Sequence, residues 1–242
     1  MFFLSSPDRL LILSAILPAA ILLVYIYKQD RLEKEPVSLV LSLVLWGVLS
    51  TFLAALTEEL GMGILGALFE RENVLSRMLM YFVVVGLSEE GFKYLLLRKK
   101  TWKSPHFNCQ FDAVVYAVSV SLGFALWENI GYVVSYGMQA ALARAITAVP
   151  GHACFGVFMG AFYGVAKESD SRGFAEASLL WRVLSVLLPS LIHGCYDFIA
   201  TAPDLPAGVF TLFLALILFT AFVTVRILSR KDRFIERRGL YF

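Results

Sequence analysis

The residues of this chain best able to do chemistry stand where ionisable groups are costly. Glu89, Glu90 and Lys93 lie inside one apolar stretch, Glu128 and Asn129 inside the next, His152 inside a third, and His193 and Asp197 inside a fourth. In a membrane-spanning helix such a group costs about 2.5–3.5 kcal/mol on insertion scales, so a functional role is the first reading to consider. Spacing sharpens it. Lys93 follows Glu89 by four residues and Glu90 by three, so on a helix its ammonium reaches either carboxylate and keeps one ionised in an apolar setting. His193 and Asp197 are also four apart and share a face, as Glu128 does with Phe124 and Tyr132. A single Glu–Lys pair would be explained equally well as helix glue, and a lone histidine is more often a hydrogen-bonded packing residue. Several carboxylates and imidazoles at one level instead suit hydrolysis by an activated water, or the passage of an ion.

The elements that must position these residues are helices that cross a bilayer. Of the 242 residues, 59% are hydrophobic, against roughly 45–50% in a soluble domain. The excess falls in runs such as 10–27, 37–56 and 208–225, each near the roughly 20 residues that span the hydrocarbon core. The expected architecture is all-α, a polytopic transmembrane bundle of about seven helices over 10–27, 37–56, 78–97, 112–134, 143–166, 181–200 and 207–228. Short connections make residues 1–242 one transmembrane domain, with the chemistry-bearing core at about 78–200. The glycine-rich segment from Gly61 to Phe69 is too short to span, and reads as an interfacial or re-entrant turn. The first run lacks a basic front end and outlasts a signal-peptide core, so it reads as a retained helix.

Charge gives the orientation. With the N-terminus outside and the C-terminus cytoplasmic, the inner segments hold sixteen lysines and arginines (3 near Lys28–Lys34, 4 over Arg98–Lys103, Lys167, Arg172 and Arg182, and 6 from Arg226 to Arg238) and the outer ones four, Arg9, Arg71, Arg77 and Arg144. That bias follows the positive-inside rule and supports an odd number of spans. At about 1.5 Å per residue, Glu89 falls near mid-membrane, His152 and His193 within about one turn of it, and Glu128 about 8 Å towards the outer face. Net charge is only +2 and no basic patch exceeds what topology needs, so nucleic acid is not an expected partner. Cys109, Cys154 and Cys195 have no framework spacing and read as small packing residues. Gly156, Gly160 and Gly164 form a stripe along which another helix can come close.

The motifs together resemble a known family. Glu89-Glu90-Gly-Phe-Lys93 is similar to the EExxK motif of the PrsW family of intramembrane proteases, Phe124…Glu128…Tyr132 to its FxxxExxxY motif, His152-Ala153…Gly160 to its HAxxxxxxG motif and His193…Asp197 to its HxxxD motif. Asp112 and Tyr116 resemble the start of the family's fourth-helix block. The matches run in family order over about 86–198 and no motif element departs from the pattern. The resemblance implies the superfamily of CAAX prenyl endopeptidases and bacteriocin-processing membrane proteases. The family's founding member is a site-1 protease that cuts a single-span anti-sigma factor outside the cytoplasmic membrane. The resemblance therefore implies a multi-pass protein of a bacterial cytoplasmic (inner) membrane, in contact with lipid, whose substrate is a single-span membrane protein.

Peptide hydrolysis needs an activated water, oxyanion stabilisation and an acid for the leaving amine. The expected catalytic set is Glu89, Glu90, Lys93, Glu128, His152, His193 and Asp197, with Glu89 as general base and Glu90 as the partner of Lys93 or of a neighbouring helix. Two versions stay open. In one, His152, His193 and Glu128 hold a divalent metal, zinc being the expected ion, with Asp197 as a fourth ligand or an outer partner. In the other, a glutamate and the histidines activate water without metal. The rival function from another class is an ion or metal transporter or channel using the same polar cluster, which the absence of inverted repeats disfavours; a catalytically dead scaffold is disfavoured by the complete motif set.

Overall fold

The computed structural model describes residues 6–71 and 73–236, with side chains from Leu10 onward. The Arg9 side chain, Arg237 and Arg238, which enter the charge count above, lie outside the described set. The order is α1 (Ser6–Gln29), α2 (Val37–Leu68), α3 (Val74–Met78), a π-helical stretch (Leu79–Leu87), α4 (Ser88–Thr101), α5 (Asp112–Ile146), α6 (Ala148–Ser171), α7 (Ala175–Ala200) and α8 (Ala207–Arg230). Among the described residues there is no strand, only an isolated antiparallel bridge between Cys109 and Phe234.

Local chemistry sets the boundaries. Pro36 and Pro206 immediately precede α2 and α8, where a fixed φ starts a helix without removing a needed donor. Asn73 opens α3 with a reciprocal cap: its Oδ1 accepts from the Ser76 N–H and Ser76 Oγ accepts from the Asn73 N–H, each at 2.9 Å. Gly173 (φ +84°) follows α6 in the left-handed conformation that commonly ends a helix.

The polarity of the molecule is inverted. Lys93 and Glu90 are fully buried, while Leu45, Leu212 and Phe219 stay about two-thirds exposed. An apolar exterior around charged interior groups is the arrangement of a protein solvated by lipid. Five helical stretches are long and apolar enough to cross a membrane. One of them, 60 residues over Asp112–Ser171, turns back at Gly137, so that its two halves pack antiparallel: Gly156 meets Val118, Gly160 meets Val114, and Gly164 meets Gln110. The run from α3 through α4 is continuous but falls outside the five because Glu89, Glu90 and Lys93 crowd it with charge.

Two features differ from the sequence expectation. Residues 61–68 form no turn: they continue α2, which is 32 residues long, about 48 Å at helical rise. Gly61, Gly63 and Gly66 do not end it because positive φ among the described glycines is confined to Gly137 and Gly173. And α5 runs past 134 to Ile146, broken at Gly137 (φ 75°, ψ −161°).

The glycines permit backbone contact. A Cβ on Gly160 would stand 2.5 Å from Val114 Cα, and one on Gly123 would stand 2.0 Å from the Val44 carbonyl oxygen. Gly160→Leu should therefore destabilise by about 1–3 kcal/mol or more, since the facing backbone cannot yield, whereas Gly63→Ala, which meets nothing within 4 Å, should be neutral or slightly stabilising. Thermal unfolding of the two variants in detergent checks this pair.

Candidate active site

The site begins with one residue, Lys93. Its Nζ donates to Glu90 Oε1 at 2.8 Å, to Glu89 Oε2 at 3.1 Å and to His152 Nδ1 at 3.1 Å, and lies 3.9 Å from the centre of the Phe124 ring. Glu89, Glu90 and Lys93 share the first turns of α4, so their mutual pairing is set by i+3 and i+4 spacing. The other two contacts come from α5 and α6 and fix α4 against both. Leading into this turn, the π-helical stretch packs on α7: a Cβ on Gly86 would stand 2.7 Å from the Ser190 carbonyl oxygen. π-helical geometry inside α-helices is often found at functional sites.

The histidines bridge outward. His152 Nε2 is 2.9 Å from Glu128 Oε2. His193 Nδ1 is 3.1 Å from Glu90 Oε1 and 3.9 Å from Glu89 Oε2, and its Nε2 is 3.4 Å from Asp197 Oδ2. The two imidazoles meet edge to face at 5.2 Å, and Phe155 stacks on His193 at 4.6 Å. Ser121 Oγ donates to the His152 carbonyl at 2.6 Å, which ties the start of α6 to α5.

The seven residues singled out in the sequence thus form one contiguous polar network, in two tiers. Ligand atoms of Glu89, Glu90, His152 and His193 lie within 4.8 Å of one another. Glu128 and Asp197 stand outside that group, each against a ring nitrogen of one histidine. Two imidazoles and two carboxylates are a donor set of the kind divalent metals take. Glu90 Oε2, buried and without a hydrogen-bond partner, leaves a lone pair free in the group. By type and proximity the residues fit a divalent ion, and the cation that gathers three of them here is the Lys93 ammonium.

Two participants were not visible in the sequence. Arg144 Nη2 pairs ionically with Glu128 Oε2 at 2.9 Å, its Nε donates to Asn129 Oδ1 at 3.1 Å, and its guanidinium stacks 4.0 Å over Tyr132. It is sixteen residues beyond Glu128, about 24 Å on a straight helix, so the reversal at Gly137 is what returns it. Only an arginine in an otherwise apolar segment shortly before His152 could have hinted at this. Glu58 of α2 is the other. Its Oε1 is buried without a hydrogen-bond partner, and the charges of Glu128, Lys93, His193 and Asp197 act on it. Ending the second span at 56 had hidden it. Cys154 packs in the apolar core and Cys195 is half-buried.

A membrane-embedded bundle with such a network is the build of an intramembrane hydrolase, and comparison with known proteins agrees. Residues 35–225 match the model of a family described as PrsW family intramembrane metalloprotease. The chain is 37% identical over 193 residues to the Protease PrsW of Bacillus subtilis (strain 168), covering 79% of this chain and 83% of the relative. It is 35% identical to that of Geobacillus kaustophilus (strain HTA426), covering 80% and 81%, and 33% identical to that of Clostridioides difficile (strain 630), covering 78% of each. No solved structure is significantly similar. The chain belongs to the PrsW family. It is a multi-pass membrane protein and an intramembrane protease, of a family described as metalloproteases.

Proposed function

We propose that residues 1–242 form one protease domain of seven crossings in a bacterial cytoplasmic membrane. Its function is to make a site-1-type cut in a single-span membrane protein, such as an anti-sigma factor, in the middle to outer half of the bilayer. The observation that carries this reading is the convergence of Glu89, Glu90, His152 and His193, within 4.8 Å, around a fully buried lysine. Helix directions support the odd count, since α5 and α6, α6 and α7, and α7 and the π-helical stretch are each antiparallel neighbours.

In this reading Glu89 is the general base. Its side chain is 8% exposed while that of Glu90 is fully buried, so Glu89 is the one nearer to arriving water and substrate. Glu89 takes the proton of the attacking water and passes it to the leaving amide nitrogen. Glu90, held by Lys93 and His193, fixes the orientation of both. The Lys93 ammonium and the imidazoles offer positive charge to the developing oxyanion. Glu128, clamped by Arg144, orients His152, and Asp197 orients His193, as carboxylates behind imidazoles commonly do. Where metal is bound, zinc by our reading, Glu90 with His152 and His193 would hold it, leaving Glu89 as the base, and it would supply Lewis-acid polarisation of the carbonyl and of water. The sequence puts Glu128 in that ligand set, with Asp197 as a fourth ligand or an outer partner; in this reading both act behind the imidazoles.

Orientation is checked by cysteine accessibility: a thiol introduced at Lys103 should label only from the cytoplasmic side, and labelling from outside would reverse the siting of the cut. The chemistry is checked by Glu89→Gln and Glu90→Gln, each assayed for cleavage of a single-span substrate and for thermal stability. Loss of a general base costs about 10²–10⁴-fold in rate with the fold intact, and Glu89→Gln should show it. Loss of a buried partner of Lys93 costs about 3–5 kcal/mol, and Glu90→Gln should show that instead. Normal cleavage by both variants, or losses that only track folded protein, would remove the glutamate mechanism.

A further inference from the structure

A second buried carboxylate group lies away from the protease site. Asp30 follows α1, Glu35 precedes α2, and Asp112 opens α5; their ligand oxygens all lie within 4.8 Å of one another. Asp112 and Glu128 are sixteen residues apart on α5, which places this group about 24 Å along that helix from the intramembrane network. Three chain segments meet here, because Asp232, beyond α8, accepts from the Phe111 N–H at 2.9 Å, and the Ile235 N–H donates to the Asn108 carbonyl at 2.7 Å.

Three observations separate this group from an ordinary acidic surface. Asp30 is 1% exposed and Asp112 is fully buried. Both carboxylate oxygens of Asp30 and one of Asp112 lack a hydrogen-bond partner. The remaining donors are already committed: the Asp112 Oδ2 takes the N–H groups of Asn108 and Cys109 at 3.0 and 2.6 Å, and Glu35 Oε2 takes the Tyr116 hydroxyl at 2.7 Å. The neighbouring cation, Lys34, spends its ammonium on the main-chain carbonyls of Tyr27, Lys28 and Asp30. Burial holds the carboxyl of Asp30 up at about 6 and that of Glu35 at about 7. A buried carboxylate oxygen with no donor is a costly group that binding a cation would relieve.

We propose that Asp30, Glu35 and Asp112 bind a hard divalent cation, with Ca²⁺ the best fit, that ties the α1–α2 turn to the start of α5. The donors are all oxygen, which selects Ca²⁺ or Mg²⁺ over zinc or copper. At Ca–O bonds of about 2.3–2.6 Å, oxygens on opposite sides of one ion stand roughly 4.6–5.2 Å apart, whereas around Mg²⁺ they stand about 4.2 Å apart. Oxygens that all lie within 4.8 Å of one another can share one such ion, and a site built of several buried protein oxygens suits Ca²⁺, which accepts flexible coordination, better than Mg²⁺, which demands near-ideal octahedral geometry and usually keeps several waters. The site is structural and independent of the protease cluster, so it stands whether or not the proposed mechanism does.

The test uses the full chain in detergent, stripped with chelator and titrated with CaCl₂ or MgCl₂, reading bound ⁴⁵Ca²⁺ and the unfolding temperature. The wild type should bind about one Ca²⁺ and rise by about 5 °C at saturation, with Mg²⁺ weaker. The double variant His152→Ala/His193→Ala, which dismantles the intramembrane cluster, should keep both responses. Asp30→Asn, which removes an unpartnered buried charge and so should fold, should weaken Ca²⁺ binding at least about tenfold and lose the rise; Asp112→Asn should do the same. Absence of Ca²⁺ binding by the wild type up to about 10 mM, far above the dissociation constants of known calcium modules, would overturn the proposal. So would undiminished binding by Asp30→Asn, or a gain in stability for Asp30→Asn without any cation response, which would mark a group satisfied by shared protons.

Discussion

An ammonium group with no exposed surface, in a bundle whose outside is apolar, has to be surrounded by groups that replace water. Lys93 is so surrounded, by Glu89, Glu90, His152 and the face of Phe124. Its partners come from three helices, so the charge cannot be satisfied unless α4, α5 and α6 are in register. Removing one partner of a buried pair costs about 3–5 kcal/mol, which makes the register strongly favoured. The same groups that specify the packing are those able to move a proton or hold a metal, and this is why a structural and a chemical role fall on the same few residues.

That register depends on backbones coming close. Glycines at 47, 123, 156, 160 and 164 stand where a Cβ would meet a facing segment at 2.9 Å or less, and in lipid such close packing takes over from the hydrophobic effect as a source of helix association. The outer tier depends on a reversal instead. Gly137 turns the end of α5 back so that Arg144 reaches Glu128, and Glu128 in turn meets the far nitrogen of His152. Asp197 meets His193 with no such device, because both lie one turn apart on α7.

Spacing made the inner tier readable. The Glu89–Glu90–Lys93 triplet pairs as three- and four-residue intervals require, and the level matching of four apolar stretches anticipates the meeting of Glu128, His152 and His193 with that triplet. The glycine stripe of α6 was equally plain. What escaped did so for physical reasons. Glycines at 61, 63 and 66 suggested a turn, but glycine only permits one, and within a long apolar run the helix continued and carried Glu58 alongside the site. Arg144 was hidden because no local pattern announces that Gly137 takes a positive φ. The choice among Glu89, Glu90, Glu128 and Asp197 as histidine neighbours rests on side-chain directions that a one-dimensional spacing cannot supply. Asp30 and Glu35 stand in the short connection between two apolar runs, and Asp112 is far from them in sequence; only the fold brings the three together.

The central claim is that the carboxylates and imidazoles gathered at Lys93 form the proteolytic centre and take a divalent ion there. The most direct measurement is metal content by mass spectrometry of purified wild type, His193→Ala and Asp30→Asn, each assayed in parallel for cleavage of a single-span substrate. The account predicts about one equivalent of zinc in the active wild type, the same in Asp30→Asn, and loss of both metal and cleavage in a folded His193→Ala. A wild type that cleaves at full rate without bound transition metal, or a His193→Ala variant that retains zinc and activity, would contradict it.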